Sequence, residues 1–421
     1  MNLYGKAVAE LDAIPRFPPP GRLNTACMEA ALAETGGLGC GRAQIIGSNG
    51  KGSTSFFVSR IIAAHGIRCG LYTSPHLVSP CERIAVGGKA ITPAQFGRLY
   101  FTLKPVFEKH GLTHFERLTL MACDFFKRQK TGFTVLETGL GGEHDAVSAF
   151  RSPCLVFTTI SLEHRDVLGN SLSAIARTKA APLKFCRRAF SCRQPQTAGR
   201  ILKNTAARAG AELSFSPKPR RVRLSVRGTE FEYRGHNLRI PMFGGIYAEN
   251  GCLALEAAQY LLGNNFSFPK AAKALAGAFW AGRLEIVRLK NCNPALFSCA
   301  HNEQSLDADL AVIKQLVRLE IIPPPGKVIF AVSGNRDAAG FLKKVSAAFP
   351  DITAAKIPGH AKPFEQLKKT GAHCTEDCAA LVRRLIGPKP AEKNFVLVIG
   401  SIYLAGLVLE TLQDVGAVRK R

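Results

Sequence analysis

The segment spanning residues 43–54 constrains the chain most strongly, because it has the order strand, glycine turn, helix. A β-branched run at residues 45–46 is followed by a glycine-rich turn at 47–52 and then by apolar residues at helical spacing. In such a turn the backbone N–H groups point at an anion, and the helix N-terminus adds its dipole. We therefore predict a phosphate-binding loop, with Lys51 placed for the terminal phosphates and the Ser53 hydroxyl placed to hold Mg²⁺.

The loop departs from a strict Walker A motif. Ile45 stands five positions before Gly50, where that motif has glycine. A glycine-rich turn with a chance lysine is therefore the alternative interpretation. The preceding strand, the following helix, the lysine and the hydroxyl coincide, and this combination favours phosphate binding.

The composition predicts a two-domain cytoplasmic protein. A chain of 421 residues is long for one domain, and 46% apolar residues suffice for full cores. No apolar run reaches membrane-spanning length, and the N-terminus lacks a signal-peptide pattern. The thirteen cysteines contain no Cys-x-x-Cys pair, which favours buried free thiols over disulfides or zinc ligands. We expect no membrane partner.

The formal net charge of +25 is large. Such a charge suits nucleic acid or anionic small substrates. The basic residues are dispersed in short runs, such as 187–188, 220–223 and 343–344, without interleaved aromatic residues. This distribution favours solvated surfaces, so we expect no nucleic-acid partner. A nucleic-acid binder stays open as a hypothesis, and it predicts binding that collapses steeply with salt.

Three polar residues end or follow predicted strands. Ser74 comes just after one strand, Glu137 lies inside an apolar strand that ends in glycines, and His164 follows a third strand. Ligands gather at the carboxyl ends of strands in open α/β sheets, and a buried carboxylate needs a metal or another cation. We therefore favour a metal at Glu137 over a strand-end salt bridge. For His164, a metal ligand and a hydrogen-bonded surface histidine stay equally open.

Strands and helices alternate along the chain, which predicts an α/β fold. We predict a P-loop-type domain with a mostly parallel sheet over residues 1–290. A smaller Rossmann-like domain is expected over residues 291–421. The predicted boundary follows a change of composition at Asn291–Pro294.

Ten short motifs occur in an order typical of one known family. They are Gly47–Ser53, Thr73–His76, Phe115–Glu116, Leu136–Gly142, Leu162–His164, Ala176–Lys179, Asn250, Gly282–Arg283, Ala300–Asn302 and Gly400–Ser401. Together they resemble the bifunctional dihydrofolate synthase/folylpolyglutamate synthase, a branch of the Mur ligase superfamily, over residues 43–405. The resemblance implies an ATPase domain, a Rossmann-like glutamate-ligase domain and an active site between them.

The chemistry implied by the resemblance is ATP-dependent amide formation. ATP phosphorylates a carboxylate to give an acyl phosphate and ADP, the amino group of L-glutamate attacks, and phosphate leaves. The implied acceptors are dihydropteroate and reduced folates, so the expected function lies in folate biosynthesis and polyglutamylation. The family expectation is a monomer that uses ATP and Mg²⁺ at two sites.

The resemblance also implies residue roles at the matching positions. ATP contacts are implied for Ser48, Asn49, Gly50, Lys51, Gly52, Asn250, Arg283 and Ser298. Metal ligation is implied for Ser53, Ser74, Glu137 and His164, and substrate contacts for Phe115, Glu116, His144, Asp145 and Ser401. Catalytic roles are implied for Lys51, Lys179 and His301. Lys179 matches a lysine that is carbamylated in the family, whereas from the residues alone it reads as an exposed helical lysine.

Several positions differ from the family pattern, and three of them bear on the site. Glu143 replaces a cation, Arg165 stands where a small residue is usual, and the motif Asp-x-Ala-His-Asn begins with Ser298. The last difference removes an ATP-contacting carboxylate. These changes keep a second hypothesis open, a degenerate nucleotide-binding paralogue that no longer ligates and acts as an interaction protein.

Overall fold

The computed structural model describes residues 2–15, 24–288, 291–334, 336–387 and 394–414. Two compact units make up the chain. The first comprises residues 1–222, 230–240 and 245–278, and the second comprises residues 223–229, 241–244 and 279–421.

The helices and strands up to residue 276 alternate as the sequence predicts. The α-helices are α1 (Leu3–Asp12), α2 (Ala26–Thr35), α3 (Lys51–Ala64), α4 (Pro93–Lys109), α5 (His114–Arg128), α6 (Arg165–Leu168), α7 (Leu172–Ala180), α8 (Gln196–Ala209), α9 (Gly245–Leu262) and α10 (Phe268–Ala276). The strands are β1 (Gly41–Ile46), β2 (Cys69–Tyr72), β3 (Ile84–Val86), β4 (Lys89–Ala90), β5 (Phe133–Glu137), β6 (Cys154–Phe157), β7 (Arg188–Ser191), β8 (Glu212–Phe215), β9 (Arg220–Ser225), β10 (Gly228–Tyr233) and β11 (His236–Ile240). Short 3₁₀ helices cover Pro80–Arg83, Ala146–Phe150, Ala181–Phe185 and Gly263–Asn265.

The first unit contains an eight-stranded sheet in the order β4-β3-β2-β5-β1-β6-β7-β8. All neighbours from β2 to β8 are parallel, whereas β3 and β4 pair antiparallel at one edge. β1 is central, since it pairs with both β5 and β6. The carboxyl ends of β2, β5, β1 and β6 therefore lie side by side at one edge of the sheet.

Helix α3 is fixed by burial on most of its surface. Phe57, Val58, Ile61 and Ile62 are fully buried, and α3 packs against β1, β5 and α9 within the first unit. Helix α9 is rich in buried alanines, and small side chains let two helices approach closely. The start of α3, which follows the glycine-rich turn, is thereby held at the edge of the sheet.

A separate three-stranded sheet has the order β11-β10-β9. It is formed by residues 220–240. In β10 the buried and half-buried positions alternate over most of its length, as expected for strands with one packed face.

The second unit is built on a six-stranded sheet. Its strands are β12 (Arg283–Val287), β13 (Ala295–Ser298), β14 (Lys327–Phe330), β15 (Ile352–Ala355), β16 (Cys374–Thr375) and β17 (Val396–Ile399), in the order β12-β13-β17-β14-β15-β16. Its helices are α11 (Glu303–Arg318), α12 (Ala338–Ser346), α13 (Ala361–Lys368), α14 (Cys378–Leu385) and α15 (Ile402–Asp414). All neighbours except β12 and β13 pair in parallel. This is the predicted small Rossmann-like arrangement.

The predicted α/β fold with a mostly parallel first sheet is confirmed. The last division between the compact units falls between Ala278 and Phe279, and β12 belongs with β13 to the second sheet. The domain boundary at residues 290–291 stays a prediction. The thirteen cysteines are free thiols. Within the described ranges, no helix combines the length and apolarity needed to cross a membrane.

Candidate active site

Four strand ends bring the predicted residues of the first unit together. In the sheet register Ile45 lies opposite Glu137, and Ile46 lies opposite Phe157. Tyr72 lies opposite Leu136. The glycine-rich turn after β1, Ser74 after β2, Glu137 at the end of β5 and the segment after β6 therefore share one edge, where open α/β sheets bind ligands.

The turn after β1 requires glycine at two positions. Gly50 has φ +87°, and a Cβ there would lie 2.7 Å from Nδ2 of Asn250. A Cβ on Gly47 would lie 1.9 Å from Oγ1 of Thr158. The backbone N–H groups of Ser48 and Asn49 both donate to the Thr159 carbonyl oxygen, at 2.8 and 3.3 Å. The turn is thus held against the segment that follows β6. A side chain at position 47 or 50 would push the turn away from these neighbours.

Lys51 folds back over the turn. Its Nζ donates to the carbonyl oxygens of Gly47 and Ser48 at 3.0 and 3.2 Å. This places a cation beside the loop that the sequence predicts to bind phosphate, at the first residue of α3. The predicted ATP residues of this turn therefore form one contiguous structure.

The Ser53 hydroxyl is oriented by two neighbours. It donates to the Gly50 carbonyl oxygen at 3.1 Å and accepts from Nδ2 of Asn250 at 3.0 Å. Asn250 lies on α9, so the packing of α3 on α9 brings together two residues almost two hundred positions apart. Ser53 is predicted as a metal ligand, and the family resemblance implies an ATP contact for Asn250. The hydrogen bond between them is not predicted.

Glu137 is 4% exposed and lies against the start of α3. Its Oε2 accepts the backbone N–H of Ser74 at 2.9 Å, and a Cβ on Gly52 would lie 3.4 Å from the same oxygen. A buried carboxylate beside the Ser53 and Ser74 segments offers the oxygen ligands that Mg²⁺ prefers. In the described part of the chain, no three His, Cys, Asp or Glu side chains cluster as a metal site, so serine oxygens, the substrate's phosphates or water would have to complete this one.

Lys179 is buried, contrary to the ordinary interpretation of a helical lysine. Its Nζ lies 2.7 Å from Oε1 of Glu163 and donates to the Gly47 carbonyl oxygen at 2.7 Å. The two side chains are 1% and 7% exposed. This ion pair ties α7 to the turn after β1 and to the segment after β6.

Each charge of this pair changes the pKa of the other residue. Burial lowers the pKa of Lys179 to about 8, although the Glu163 carboxylate opposes that shift. Burial alone would raise the pKa of Glu163, but the charges of Lys51 and Lys179 outweigh it and lower this pKa to about 2. At neutral pH the pair is therefore ionic. Sequence reasoning did not identify Glu163 as a partner, although it directly precedes the predicted ligand His164.

His164 starts the short helix α6 with φ +43° and an exposed side chain. Its charge contributes to lowering the pKa of Glu163, which places it near the ion pair. His144 is also partly exposed, and its Nε2 lies 4.0 Å from Oε2 of Glu143. Both histidines stay predictions as ligand-contacting residues.

Two carboxylates predicted for substrate contact are engaged in backbone capping. Oε2 of Glu116 accepts the N–H and hydroxyl of Thr113 at 2.8 and 2.7 Å, as part of a capping box. Asp145 accepts the N–H groups of Leu140 and Val147 at 2.8 and 2.9 Å. Burial nevertheless raises the pKa of Asp145 to about 6. These carboxylates order the helix starts around the site.

The Phe115 ring packs beside the glycine segment after β5. It lies 5.8 Å from the ring of Tyr72, and a Cβ on Gly139 would meet it at 2.5 Å. Tyr72 is fully buried, and its hydroxyl accepts from Oγ1 of Thr119 at 3.1 Å. Phe115 thus packs between Tyr72 and the glycine segment, and its contact with a substrate ring stays a prediction.

The remaining predicted residues belong to the second unit. Ser298 ends β13, His301 precedes α11, and Ser401 follows β17. Nδ1 of His301 lies 3.0 Å from the Cys299 carbonyl oxygen, and Ser401 is fully buried before α15. Since β13 and β17 are parallel neighbours, these residues gather at one edge of this sheet. Arg283 lies on the neighbouring strand β12.

Comparison with known proteins agrees with this architecture. No family model matches the chain. A folylpolyglutamate synthase from Lacticaseibacillus casei is 24% identical over 400 residues, which cover 87% of this chain and 89% of that protein. A probable bifunctional folylpolyglutamate synthase/dihydropteroate synthase from Haloferax volcanii is 32% identical, and the match covers 86% of this chain but 45% of that longer protein.

The solved structures agree with the fold. A complex of a folylpolyglutamate synthase with AMPPCP and folate superimposes with a TM-score of 0.80 at 23% identity, over 98% of this chain and all of that one. The motif order, the sheet-edge geometry and these relatives agree with one another. The chain is similar in sequence and in fold to the dihydrofolate synthase/folylpolyglutamate synthase family.

Proposed function

We propose that this chain is an ATP-dependent ligase that joins L-glutamate to dihydropteroate or to reduced folates. The observation that carries the proposal is the sheet edge of the first unit, where the glycine-rich turn, Lys51, Glu137 and the Lys179–Glu163 pair converge. Such an arrangement suits transfer of a phosphoryl group. The relatives, which are named synthases, supply the acceptor class and do not support a paralogue without ligase activity.

The reaction would proceed through two transfers. The acceptor carboxylate attacks the terminal phosphorus of ATP, giving an acyl phosphate and releasing ADP. The neutral amino group of L-glutamate then attacks the acyl carbon. The nitrogen loses a proton as the amide bond forms, and phosphate leaves with the bonding electron pair and takes up that proton. We assign Lys51 to stabilising the charge on the transferred phosphoryl group and the N–H groups of the turn to holding the remaining phosphates.

The oxygen-rich surroundings of Glu137 fit a bound Mg²⁺. Glu137, Ser53 and Ser74 would hold one ion, and His164 would help to hold a second. Bound there, Mg²⁺ would neutralise phosphate charge and orient the phosphates for in-line transfer. The hydrogen bonds of Ser53 to Gly50 and Asn250 orient its hydroxyl beside the turn.

Lys179 has a second proposed role through carbamylation, which the family resemblance implies. The lowered pKa of its amine, about 8, favours the neutral form that reacts with CO₂. In the unmodified form the ammonium instead pairs with Glu163 and the Gly47 carbonyl. Treatment with ¹³C-labelled CO₂ followed by carbon NMR would detect the carbamate, and a Lys179→Met variant provides the blank.

Substrate contacts are proposed for five residues, by family resemblance and by position. Phe115 would stack on the pterin ring, and Glu116, His144, Asp145 and Ser401 would orient the acceptor and L-glutamate. We also propose Asn250, Arg283 and Ser298 as nucleotide contacts and His301 as a catalytic residue. A cytoplasmic monomer without nucleic-acid or membrane partners is the expected working form.

The proposal is tested by ligation with radiolabelled L-glutamate, ATP and Mg²⁺, with dihydropteroate and tetrahydrofolate assayed separately. Product that requires both ATP and acceptor supports the ligase, and the acceptor used identifies which of the two synthase activities is present. The Lys51→Met variant is the matched control for contaminating ligases. Measurable ATP binding without product from either acceptor contradicts the proposed function.

A further inference from the structure

A fully buried glutamine lies in the central strand of the first unit's sheet. Gln44 is on β1, opposite Leu136 of β5 and Leu155 of β6, and it is 0% exposed. Its Nε2 donates one hydrogen bond to Oγ1 of Thr138 and another to Oγ of Ser148, each at 2.9 Å. Both N–H groups of this amide are therefore used by two buried hydroxyls.

The orientation of the amide follows from its partner Ser148. The Ser148 hydroxyl donates its single proton to the Gly142 carbonyl oxygen, so towards Gln44 it can only accept. This leaves Oε1 of Gln44 buried and without a donor among the described residues. A core position gains nothing from an oxygen that no protein group uses, and an apolar side chain of the same shape would fill the space as well. The pair of donors is what glutamine adds at this position.

The two hydroxyls lie at the two ends of one segment, residues 138–148. The segment follows β5 and carries Asp145, which we propose as a contact of the acceptor substrate. Inside it, the N–H of Ser148 donates to the Asp145 carbonyl oxygen at 2.8 Å, and the N–H of Asp145 donates to the Gly142 carbonyl oxygen at 3.4 Å. Through Ser148, the amide of Gln44 is thus linked to the backbone around Asp145.

The phosphate-binding turn is held by other hydrogen bonds. The N–H groups of Ser48 and Asn49 donate to the Thr159 carbonyl oxygen. Among the described residues, the side-chain hydrogen bonds of Gln44 go to segment 138–148 and not to this turn. Loss of the amide should therefore disturb the segment and leave the turn intact.

We propose that Gln44 is a positioning residue, which holds segment 138–148 in the shape that binds the acceptor substrate. Because its side chain is fully buried, it acts through the hydroxyls of Thr138 and Ser148 and not by touching a substrate. The inference rests on the proposed function, since it presupposes that the chain uses a dihydropteroate or folate acceptor. It assigns ATP affinity to the turn, and it makes acceptor affinity depend on the glutamine amide.

Steady-state ligation by the full-length protein tests this role with Gln44→Met, which keeps the side-chain length and removes both donors. KM for the acceptor substrate should rise about 10-fold, the equivalent of one or two lost hydrogen bonds, whereas KM for ATP should change less than about 2-fold. Ile45→Val is the matched control, because it trims the neighbouring buried side chain of β1 and should lower Tm without raising KM for the acceptor. Equal rises of both KM values, or the same rise in Ile45→Val, would show a merely structural role and overturn the proposal.

A double-mutant cycle tests the route through the two hydroxyls. Thr138→Val/Ser148→Ala removes both hydroxyl partners of the Gln44 amide. Adding Gln44→Met to this variant should raise KM for the acceptor substrate no further. If Gln44→Met has the same effect in this background as in wild type, the amide acts by another route and the proposal is wrong.

Hydrogen exchange followed by mass spectrometry gives a readout that needs no substrate. In Gln44→Met, the backbone N–H groups of residues 140–148 should exchange at least about 10-fold faster than in wild type, and those of α3 should not. Unchanged exchange in this segment contradicts the holding role of Gln44. Absence of product from wild type with either acceptor instead contradicts the proposed function and, with it, the role in acceptor binding, while the exchange result still decides whether Gln44 holds the segment.

Discussion

Replacing Glu163 with glutamine tests the buried ion pair at the phosphate loop. The pKa of Glu163 falls from its ordinary 4.5 to about 2, and at 1.36 kcal/mol per pH unit this corresponds to about 3 kcal/mol of stabilisation. Breaking a buried pair by removing one partner typically costs about 3–5 kcal/mol, because the other charge stays buried. In Glu163→Gln the Lys179 ammonium would be left with the Gly47 carbonyl, and the loss should lie in this range.

Differential scanning calorimetry measures the effect. For a unit of this size a loss of 1 kcal/mol lowers Tm by about 2–4 °C, so Glu163→Gln should lower the Tm of the affected transition by about 6–20 °C. A double variant, Glu163→Gln/Lys179→Met, removes both charges and should be more stable than the single variant. If the losses of stability in Glu163→Gln and in Lys179→Met simply add in the double variant, the ion pair does not couple these residues and the reasoning is wrong.

The pH dependence gives an independent check with a defined sign. The folded pKa of Glu163 lies below its unfolded value, so its stabilisation is present above pH 4.5 and is lost as pH falls towards about 2. The stability difference between wild type and Glu163→Gln should therefore shrink across this window. A difference that is constant from pH 7 down to pH 3 would contradict the assigned charge state.

Three further substitutions have defined outcomes. Lys51→Met should lower kcat/KM for ATP about 10²–10³-fold with little change in Tm, because it removes one preorganised cation; an unchanged kcat/KM would contradict the loop assignment. Gly50→Ala should lower both Tm and ATP affinity, because φ is +87° and the new Cβ would lie 2.7 Å from Asn250; Gly52→Ala, in ordinary helical backbone, is the milder control. The pKa of Asp309 is raised to about 6 in the folded state, so wild type loses stability as this carboxyl ionises with rising pH. Asp309→Asn does not ionise and should therefore gain about 1–3 kcal/mol relative to wild type between pH 4 and pH 7. Equal pH profiles of the free energy of unfolding in urea would refute this.

The phosphate loop could be predicted because its signal is local. A β-branched run, a glycine turn and an amphipathic helix are consecutive in sequence, and the structure has β1, the turn and α3 in that order. Glu137 could be predicted for a related reason, since a carboxylate inside an apolar strand requires a partner. In both cases neighbouring residues carry the information, and no long-range contact has to be known.

The Lys179–Glu163 pair could not be predicted from residues alone. Lys179 sits in α7 at a position that reads as an ordinary helical lysine, and only the packing of α7 beside the turn after β1 buries it. Asp309 on α11 is a second case, because its Oδ2 accepts from Oγ of the buried Ser298 at 2.6 Å, whereas an aspartate in an amphipathic helix normally faces water. Such residues can be identified only when it is known which helix packs against which strand end.

Helix α13 and strand β12 are hard to recognise in the sequence for different reasons. Helix α13 is short and contains Pro363 in its first turn, where proline is tolerated although it resembles a breaker. Strand β12 comes just before the change of composition that suggested a domain boundary, and it joins the second sheet as its antiparallel edge. The pairing partner, which the sequence pattern does not specify, decided where this strand belongs.

The net charge of +25 does not by itself account for nucleotide binding. Exposed charges act over roughly a Debye length, about 8–10 Å, so only the charges near the turn matter. There, Lys179 is already paired with Glu163, and Lys51 donates to two carbonyl oxygens. A triphosphate would compete with these partners for both ammonium groups. The site therefore suits ATP that arrives with divalent cations, and the buried carboxylate of Glu137 would help to hold such a cation.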